Sequence, residues 1–571
     1  VEKGDVVPIN QLLKKGMWCR INTKILGVRG LFVAVAIVVL SGCAQTQATM
    51  AIDKLSPCKG TDMPVDAYCG TLKVYENRDT RQGRQIDLNI VVLPALSADP
   101  QPDPFFFLAG GPGQGAAQMA KGLRDAYRQV IVDRDMVLVD QRGTGKSNPL
   151  NCLDEQDDSL KAFVETEESM VAKLKKCMAG YDADLRLYTT PIAMDDLDDV
   201  RAHLGYERIN IYGGSYGTRA GLVYLRQHGD RVRTIVLDGV APPDMRLPLF
   251  APRDVQRAFD RLIADCAADA ACNATYPDLG ARARQLMMRL EQAPPLVSVV
   301  HPRTGERGEV RMTARMVAGI VTATLYQPIA ASLLPALIAR AEQNDFQGML
   351  ALASIGDNGA APNMSLGMQL SVICAEDGPR VSADEAEKQS AGTLFGLHVM
   401  RLQREACAFW PRGRVDPAFY EPVQSPVPAL ILSGEIDPIT PPVWGDQVAR
   451  TLSRSKHIVL PGTGHTAGGT GCGRRLIKAF IDSGTADNLD TSCVKNLTRP
   501  PYFVTPAGPD PGAITKPAPQ SDAEKGAHSP KPGIGGNDER EPVAPRRESG
   551  EKGERELVAP KPDMSDKGEG E

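Results

Sequence analysis

Apolar residues recur along this chain in two rhythms. Unbroken runs such as Pro104-Phe105-Phe106-Phe107-Leu108, Met136-Val137-Leu138-Val139, Ile209-Asn210-Ile211-Tyr212, Thr234-Ile235-Val236-Leu237 and Val427-Pro428-Ala429-Leu430-Ile431-Leu432 suit strands buried on both faces of a sheet. Ahead of them, Leu72-Lys73-Val74-Tyr75 and the alternating stretch Ile86 to Leu93 read as the first two strands, parted by a turn at Arg81-Gln82-Gly83-Arg84. His457-Ile458-Val459-Leu460 completes a set of eight. Helical patterns stand between the runs, including a polar stretch from Asn151 to Leu204. This alternation predicts an α/β fold with a mainly parallel eight-stranded sheet and helices on both faces.

The second rhythm takes over from Ala241 to about Pro422, where helical spacing dominates at Val255 to Ala268, Gly280 to Glu291 and Ile329 to Glu342. An insertion at that point of an α/β core can sit over a site as a cap. The predicted organisation is core 57–240, helical cap 241–422, core again 423–498, and a tail 499–571. In the tail Pro, Gly, Lys and Glu crowd out large apolar residues, so it cannot bury enough surface to offset its chain entropy and is expected to be disordered.

Candidate chemistry gathers where strands end. Ile209-Asn210-Ile211-Tyr212 runs into Gly213-Gly214-Ser215-Tyr216-Gly217, which fits G-x-S-x-G, and a helix-like run follows. That pattern is a turn so tight that the serine is held in strained geometry with its Oγ exposed. The strand at Phe105 empties into Ala109-Gly110-Gly111-Pro112-Gly113, a loop able to bring a backbone amide to a developing oxyanion. Pro112 has no N–H, which leaves Gly111 as donor, with the amide of Tyr216 as the second. The last two strands end in Gly434-Glu435-Ile436-Asp437 and Gly462-Thr463-Gly464-His465, each presenting one polar residue, in the chain order Ser, Asp, His.

Two other patterns carry less. Asp140-Gln141-Arg142-Gly143-Thr144-Gly145-Lys146-Ser147 ends like a phosphate-binding loop but has Asp140 where the first glycine must stand, so no nucleotide is expected. Asp140 and Arg142 are read as structural contacts beneath the site. The acidic run Asp195 to Asp199 reads as a solvated helix face.

A formal charge of −5 without a dense basic block outside the N-terminus argues against nucleic acid as a partner. At the N-terminus Lys14, Lys15, Arg20, Lys24 and Arg29 precede the apolar run Leu31 to Leu40, too short for the roughly 20 residues of a membrane span. Residues 1–42 therefore read as an export signal, with 1–16 a candidate over-extended start before Met17. Leu40-Ser41-Gly42-Cys43 resembles the lipobox of bacterial lipoproteins. The resemblance implies cleavage before Cys43, its lipidation, a tether over 43–56 and, with Ala44 next, the outer membrane facing the periplasm. A conventional signal with an incidental cysteine is the other reading. Of twelve cysteines, ten remain after Cys19 and Cys43 are set aside; an even number in an exported chain suggests disulfides, and pairing neighbours in order gives five loops.

With these motifs in place, the chain resembles the α/β-hydrolase serine peptidases that include proline iminopeptidases and tripeptidyl aminopeptidases, over roughly Cys58 to Cys493. The carriers are Gly110-Gly111-Pro112-Gly113, Asp140-Gln141-Arg142-Gly143-Thr144-Gly145, Gly213-Gly214-Ser215-Tyr216-Gly217, Gly434-Glu435-Ile436-Asp437-Pro438 and Gly464-His465. Ala109 stands where single-domain iminopeptidases often have His, which favours the larger tripeptidyl type. The resemblance implies that Ser215 attacks, His465 moves the proton and Asp437 orients the imidazole, on short peptide substrates and with no metal or organic cofactor. An exopeptidase of this kind must recognise a free ammonium, and Glu376 and Asp377 beside Cys374 are the candidates. An esterase with the same triad and a non-catalytic binding lipoprotein are the competing functions.

Overall fold

The computed structural model describes residues 52–152, 159–160, 166–359, 364–505 and 507–509. The export signal, Cys43, the start of the tether and the tail from 510 lie outside the described residues.

The sheet has nine strands. Six are parallel, in the order β5 (Met136–Val139), β4 (Phe105–Leu108), β6 (Ile209–Gly214), β7 (Val232–Asp238), β10 (Ala429–Gly434) and β11 (Ser455–Leu460). Antiparallel β3 (Gln85–Leu93), β2 (Tyr68–Tyr75) and the two-residue β1 (Ser56–Pro57) extend it beyond β5. β1 is the strand absent from the predicted eight, because two residues held by pairing alone leave no hydrophobic pattern.

Neighbouring residues of one strand enter opposite cores, which is why the runs are unbroken. Phe106, Leu108, Val137 and Ile211 face a cluster that takes in Leu197, Val200 and Leu222 from the helices Thr190–Leu204 and Tyr216–His228. Phe105, Phe107, Leu138 and Tyr212 face a cluster that takes in Leu476 and Phe480 from the helix Gly471–Ser483. Burying a large apolar side chain contributes about 1.5–3 kcal/mol, so each such strand is anchored from two sides.

The insertion, expected to be a largely helical cap, falls into two parts. Its first part has a core of its own, with Val255, Phe259, Leu262, Leu286 and Ile338, and this core includes a hairpin, β8 (Leu296–Val300) and β9 (Arg307–Arg311), whose Val297, Val299 and Val310 turn inward. Its second part is not separate. Met368, Val372 and Cys374 of the helix Leu366–Glu376, with Ala406 and Trp410, join the same cluster as Ile211.

Two further expectations are corrected. The start of the tail, set at 499, is ordered through 505: Tyr502 is buried in the first cap core and donates to the Leu262 carbonyl at 3.0 Å, and the Phe503 carbonyl accepts from Tyr276 Oη at 2.9 Å. The acidic helix is not merely solvated either. Asp196 is only 2% exposed and grips buried Arg142 with both oxygens, at 2.6 and 2.9 Å, because a guanidinium under the sheet needs an internal counter-charge. Asp140 is likewise interior, accepting from the amides of Ala117 and Lys146 and from Asn89, so the phosphate-like loop is folded onto its own carboxylate.

Five disulfides join the ten cysteines in sequential pairs, Cys58–Cys69, Cys152–Cys177, Cys266–Cys272, Cys374–Cys407 and Cys472–Cys493, as neighbour pairing predicts.

Candidate active site

The elbow forms where β6 gives way to the helix Tyr216–His228. Ser215 sits between them at φ 57° and ψ −125°, a conformation that costs a non-glycine residue on the order of 1–3 kcal/mol. Close packing imposes it. A Cβ at Gly213 would come within 2.2 Å of the Gly217 carbonyl oxygen, and one at Gly217 within 2.2 Å of the Leu108 carbonyl oxygen. Backbone bonds then hold the posture: Ser215 N–H donates to the Asp238 carbonyl at 2.9 Å, and the Ser215 carbonyl accepts from Thr218 N–H at 2.9 Å and Thr218 Oγ1 at 2.6 Å.

His465 and Asp437 meet beyond the ends of β11 and β10. His465 Nδ1 lies 2.8 Å from Asp437 Oδ2, and Thr440 Oγ1 donates to that same carboxylate oxygen at 2.7 Å. Asp437 Oδ1 accepts from the amides of Ile439 and Thr440 at 2.9 and 2.8 Å. Burial works to raise the Asp437 pKa but is outweighed by His465 and these amides, so the carboxyl is held below its usual range. Burial works to lower the His465 pKa and is outweighed by Asp437, with a further contribution from Asp238, so the imidazole is held above its usual range.

Strand register brings the parts together. Gly214 pairs with Asp238, and a Cβ placed on the next residue, Gly239, would lie 3.3 Å from His465 Cε1 and 3.5 Å from Asp437 Oδ2. Among the described residues no hydrogen bond joins Ser215 Oγ to His465, a looseness common before substrate tightens such sites. Tyr326 of the cap closes the far side. Its ring stands edge-on to His465 with centroids 5.0 Å apart, and its carbonyl accepts the His465 amide at 3.1 Å.

The glycine loop after β4 passes directly over the serine. A Cβ at Gly110 would lie 3.2 Å from Ser215 Cβ, and Gly111 follows at φ 107°. The loop is pinned from the cap: Ser365 N–H donates to the Gly113 carbonyl at 2.9 Å, and Met364 Sδ lies against Gly111 and Gly113. Tyr216, the other candidate oxyanion donor, begins the elbow helix with its ring buried and its Oη 2.7 Å from Thr190 Oγ1.

Glu376 and Asp377 do not line an open amine pocket. Both are wholly buried: Asp377 Oδ2 lies 2.8 Å from Arg219 Nη1, and Glu376 accepts from Thr190 N–H at 2.7 Å and Thr190 Oγ1 at 3.0 Å. Their charges answer Arg219, which sits one turn past Ser215 on the elbow helix, so an incoming ammonium would have to displace a guanidinium. Burial raises the Glu376 pKa to about 7 despite Arg219. A cavity of about 510 Å³ lies nearby, beside Cys407, Leu247, Met400 and Arg404, but none of the triad candidates lines it.

Sequence reasoning missed Thr440, Tyr326, Arg219 and Asp238. Arg219 left a signal, a lone charge directly ahead of the apolar run Ala220 to Leu225. Asp238-Gly239 also left one, since it ends a buried strand as Asp437 does. Tyr326 left none, for nothing in its neighbourhood says that it meets residue 465.

A strained serine at a strand-to-helix turn and a buried His–Asp pair, both at the carboxyl ends of one parallel sheet, are the parts of a serine hydrolase of the α/β-hydrolase fold. Residues 103–277 match the family described as alpha/beta hydrolase fold, and residues 393–493 match the family described as TAP-like protein. Over 508 residues the chain is 27% identical to the serine protease Hip1 of Mycobacterium tuberculosis, covering 81% of this chain and 96% of that one. It is 24% identical to the tripeptidyl aminopeptidase of Streptomyces lividans over 480 residues, 77% of this chain and 86% of that one. The proline iminopeptidase of Neisseria gonorrhoeae is 30% identical over 146 residues, 25% of this chain and 34% of that one.

Proposed function

We propose that the protein is an aminopeptidase-type serine peptidase, releasing short units from the free N-terminus of peptides. The observation that carries the chemistry is the buried His465–Asp437 pair at the end of the sheet that also holds Ser215 in its strained turn. The relatives named above carry the choice of peptide over ester, since fold and triad host both.

In this reading Ser215 Oγ attacks the scissile carbonyl as His465 takes its proton, forming a tetrahedral oxyanion that the amides of Gly111 and Tyr216 stabilise. His465 then protonates the leaving amine, and an acyl-enzyme remains for water to cleave with the same groups. Asp437 holds the Nδ1–H tautomer and stabilises the imidazolium. Loss of one oxyanion donor lowers kcat by about 10²- to 10³-fold in such enzymes.

The test is a panel of a prolyl anilide, a tripeptidyl anilide, its N-blocked counterpart and a short acyl ester, run beside Ser215→Ala. Ser215-dependent release from the free tripeptide and not the blocked one supports the reading. Turnover of the ester alone replaces it with an esterase, and silence of folded protein on all four with a binding protein.

The signal-like segment and Leu40-Ser41-Gly42-Cys43 support a place at the bacterial outer membrane, facing the periplasm, anchored through lipid on Cys43. Fractionation of cells making the full chain or Cys43→Ala tests it: the first should pellet with membranes and the second should not.

A further inference from the structure

Asp238 is a buried carboxylate that the mechanism above leaves unused. It ends β7, one residue before the glycine that abuts both His465 and Asp437, and its own carbonyl receives the Ser215 amide at 2.9 Å. Its Oδ2 accepts from Tyr212 Oη at 2.6 Å and from the Gly468 amide at 2.8 Å. Tyr212 lies in β6, the strand that delivers Ser215, and Gly468 lies three residues past His465. The carboxylate therefore clips the histidine loop to the nucleophile strand. The fit is close, since a Cβ on Gly468 would come within 2.6 Å of Oδ2.

The other oxygen, Oδ1, is buried with no hydrogen-bond partner. A half-satisfied carboxylate in the interior is unfavourable unless something nearby gains from its charge. The group placed to gain is the imidazole of His465, whose pKa Asp238 raises.

We propose that Asp238 is a positioning residue of the catalytic centre, tying the His465 loop to the Ser215 strand and giving the imidazolium a second negative neighbour beside Asp437. This rests on the reading of His465 as the general base.

The remaining groups around Asp238 fit that role. Burial is the main influence on its pKa, which rises to about 6; Tyr212, the Gly468 amide and His465 work to lower it, and Asp437 to raise it. Tyr127, packed on Tyr212 with ring centroids 5.4 Å apart, is buried and neutral, and Arg474 acts on it from the helix Gly471–Ser483. The ionised form of Asp238 is the one that favours the imidazolium.

The test is Asp238→Asn, which keeps the shape and leaves one oxygen to accept from Tyr212 and Gly468 while removing the charge. The readout is the pH dependence of covalent inactivation by a fluorophosphonate, which transfers its phosphonyl group to Ser215 Oγ, expels fluoride and sends the serine proton to His465. This readout needs no knowledge of the natural substrate, so it stands whether peptides, esters or neither are turned over. The expected result is an acid limb displaced downward by about one pH unit, with a plateau rate roughly tenfold lower, because a weaker neighbouring charge makes His465 both more acidic and a poorer base. A melting temperature near that of the parent shows that the variant folds. Tyr212→Phe, which removes one donor to Oδ2, should move the same limb while leaving the carboxylate in place. An unmoved acid limb in a folded Asp238→Asn, whether the plateau falls or not, would overturn the proposal, and so would full parental rates across the pH range.

Discussion

Tyr326 belongs to the cap, yet it touches His465 twice, through an edge-on ring at 5.0 Å and through a carbonyl that receives the His465 amide at 3.1 Å. The loop that carries His465, the proposed general base, is therefore shaped by the insertion as well as by β11. Edge-to-face aromatic pairs contribute about 0.5–1.5 kcal/mol. Tyr326→Ala should lower kcat roughly two- to tenfold by loosening the imidazole. Tyr326→Phe should stay near the parent, because ring and carbonyl make the contacts; steady-state kinetics on the best panel substrate compares the two.

Asp437→Asn keeps the shape of the acid but offers the wrong hydrogen-bonding group to His465 Nδ1. A loss of about 10⁴ in kcat is expected. Since Asp437 holds the His465 pKa above its ordinary value, the acid limb of kcat/KM should also move to lower pH in this variant. Unchanged activity would remove Asp437 from the triad.

Glu376 makes a stability prediction with a definite sign. Its folded pKa, raised by burial to about 7, exceeds the ordinary value of 4.5, so the folded state binds the extra proton between those pH values. The contribution is present in full below pH 4.5 and is lost as the pH rises through 7. The parent's melting temperature should therefore fall between pH 5 and about 8, and Glu376→Gln should flatten that fall. Parallel curves for parent and variant would show that Glu376 is not the group responsible.

Disulfide removal should rank by loop. Cys374 and Cys407 are separated by 33 residues and Cys266 and Cys272 by 6, so replacing the first pair by alanine should cost about 4 kcal/mol and the second about 2 kcal/mol. Urea denaturation of the two double variants checks the order.

Tyr502 fastens the segment after the last helix to the cap, packed in its apolar core and bonded to Leu262. Tyr502→Ala should destabilise the folded protein by about 3–5 kcal/mol, the range for deleting a buried aromatic. A variant that melts like the parent would mean that the segment is not held as described.

What the sequence disclosed and what it withheld follow from the range of the interactions. The eight longer strands and the elbow were legible because buried β runs and glycine spacing are local signals, written within a few residues of Ser215. Asp437 and His465 were legible because each ends such a run. The partners of Glu376 and Asp377 were not, since Arg219 lies more than 150 positions away in the chain and only tertiary packing sets the pair. The same holds for Asp196, whose neighbours in sequence are acidic and whose buried face becomes visible only once Arg142 is beneath it. Residues 499–505 gave no sign of order because Tyr502 and Val504 are too few to show periodicity, although they suffice to fill a place in a core already built.

Arg219 and Asp377 form a rivet between the nucleophile's own helix and the helix that roofs it. Pulling those helices apart would strand opposite charges in a dry interior, a change of the order of 3–5 kcal/mol when one partner of such a pair is lost. The roof over this side of the site is accordingly fixed masonry and no hinged door.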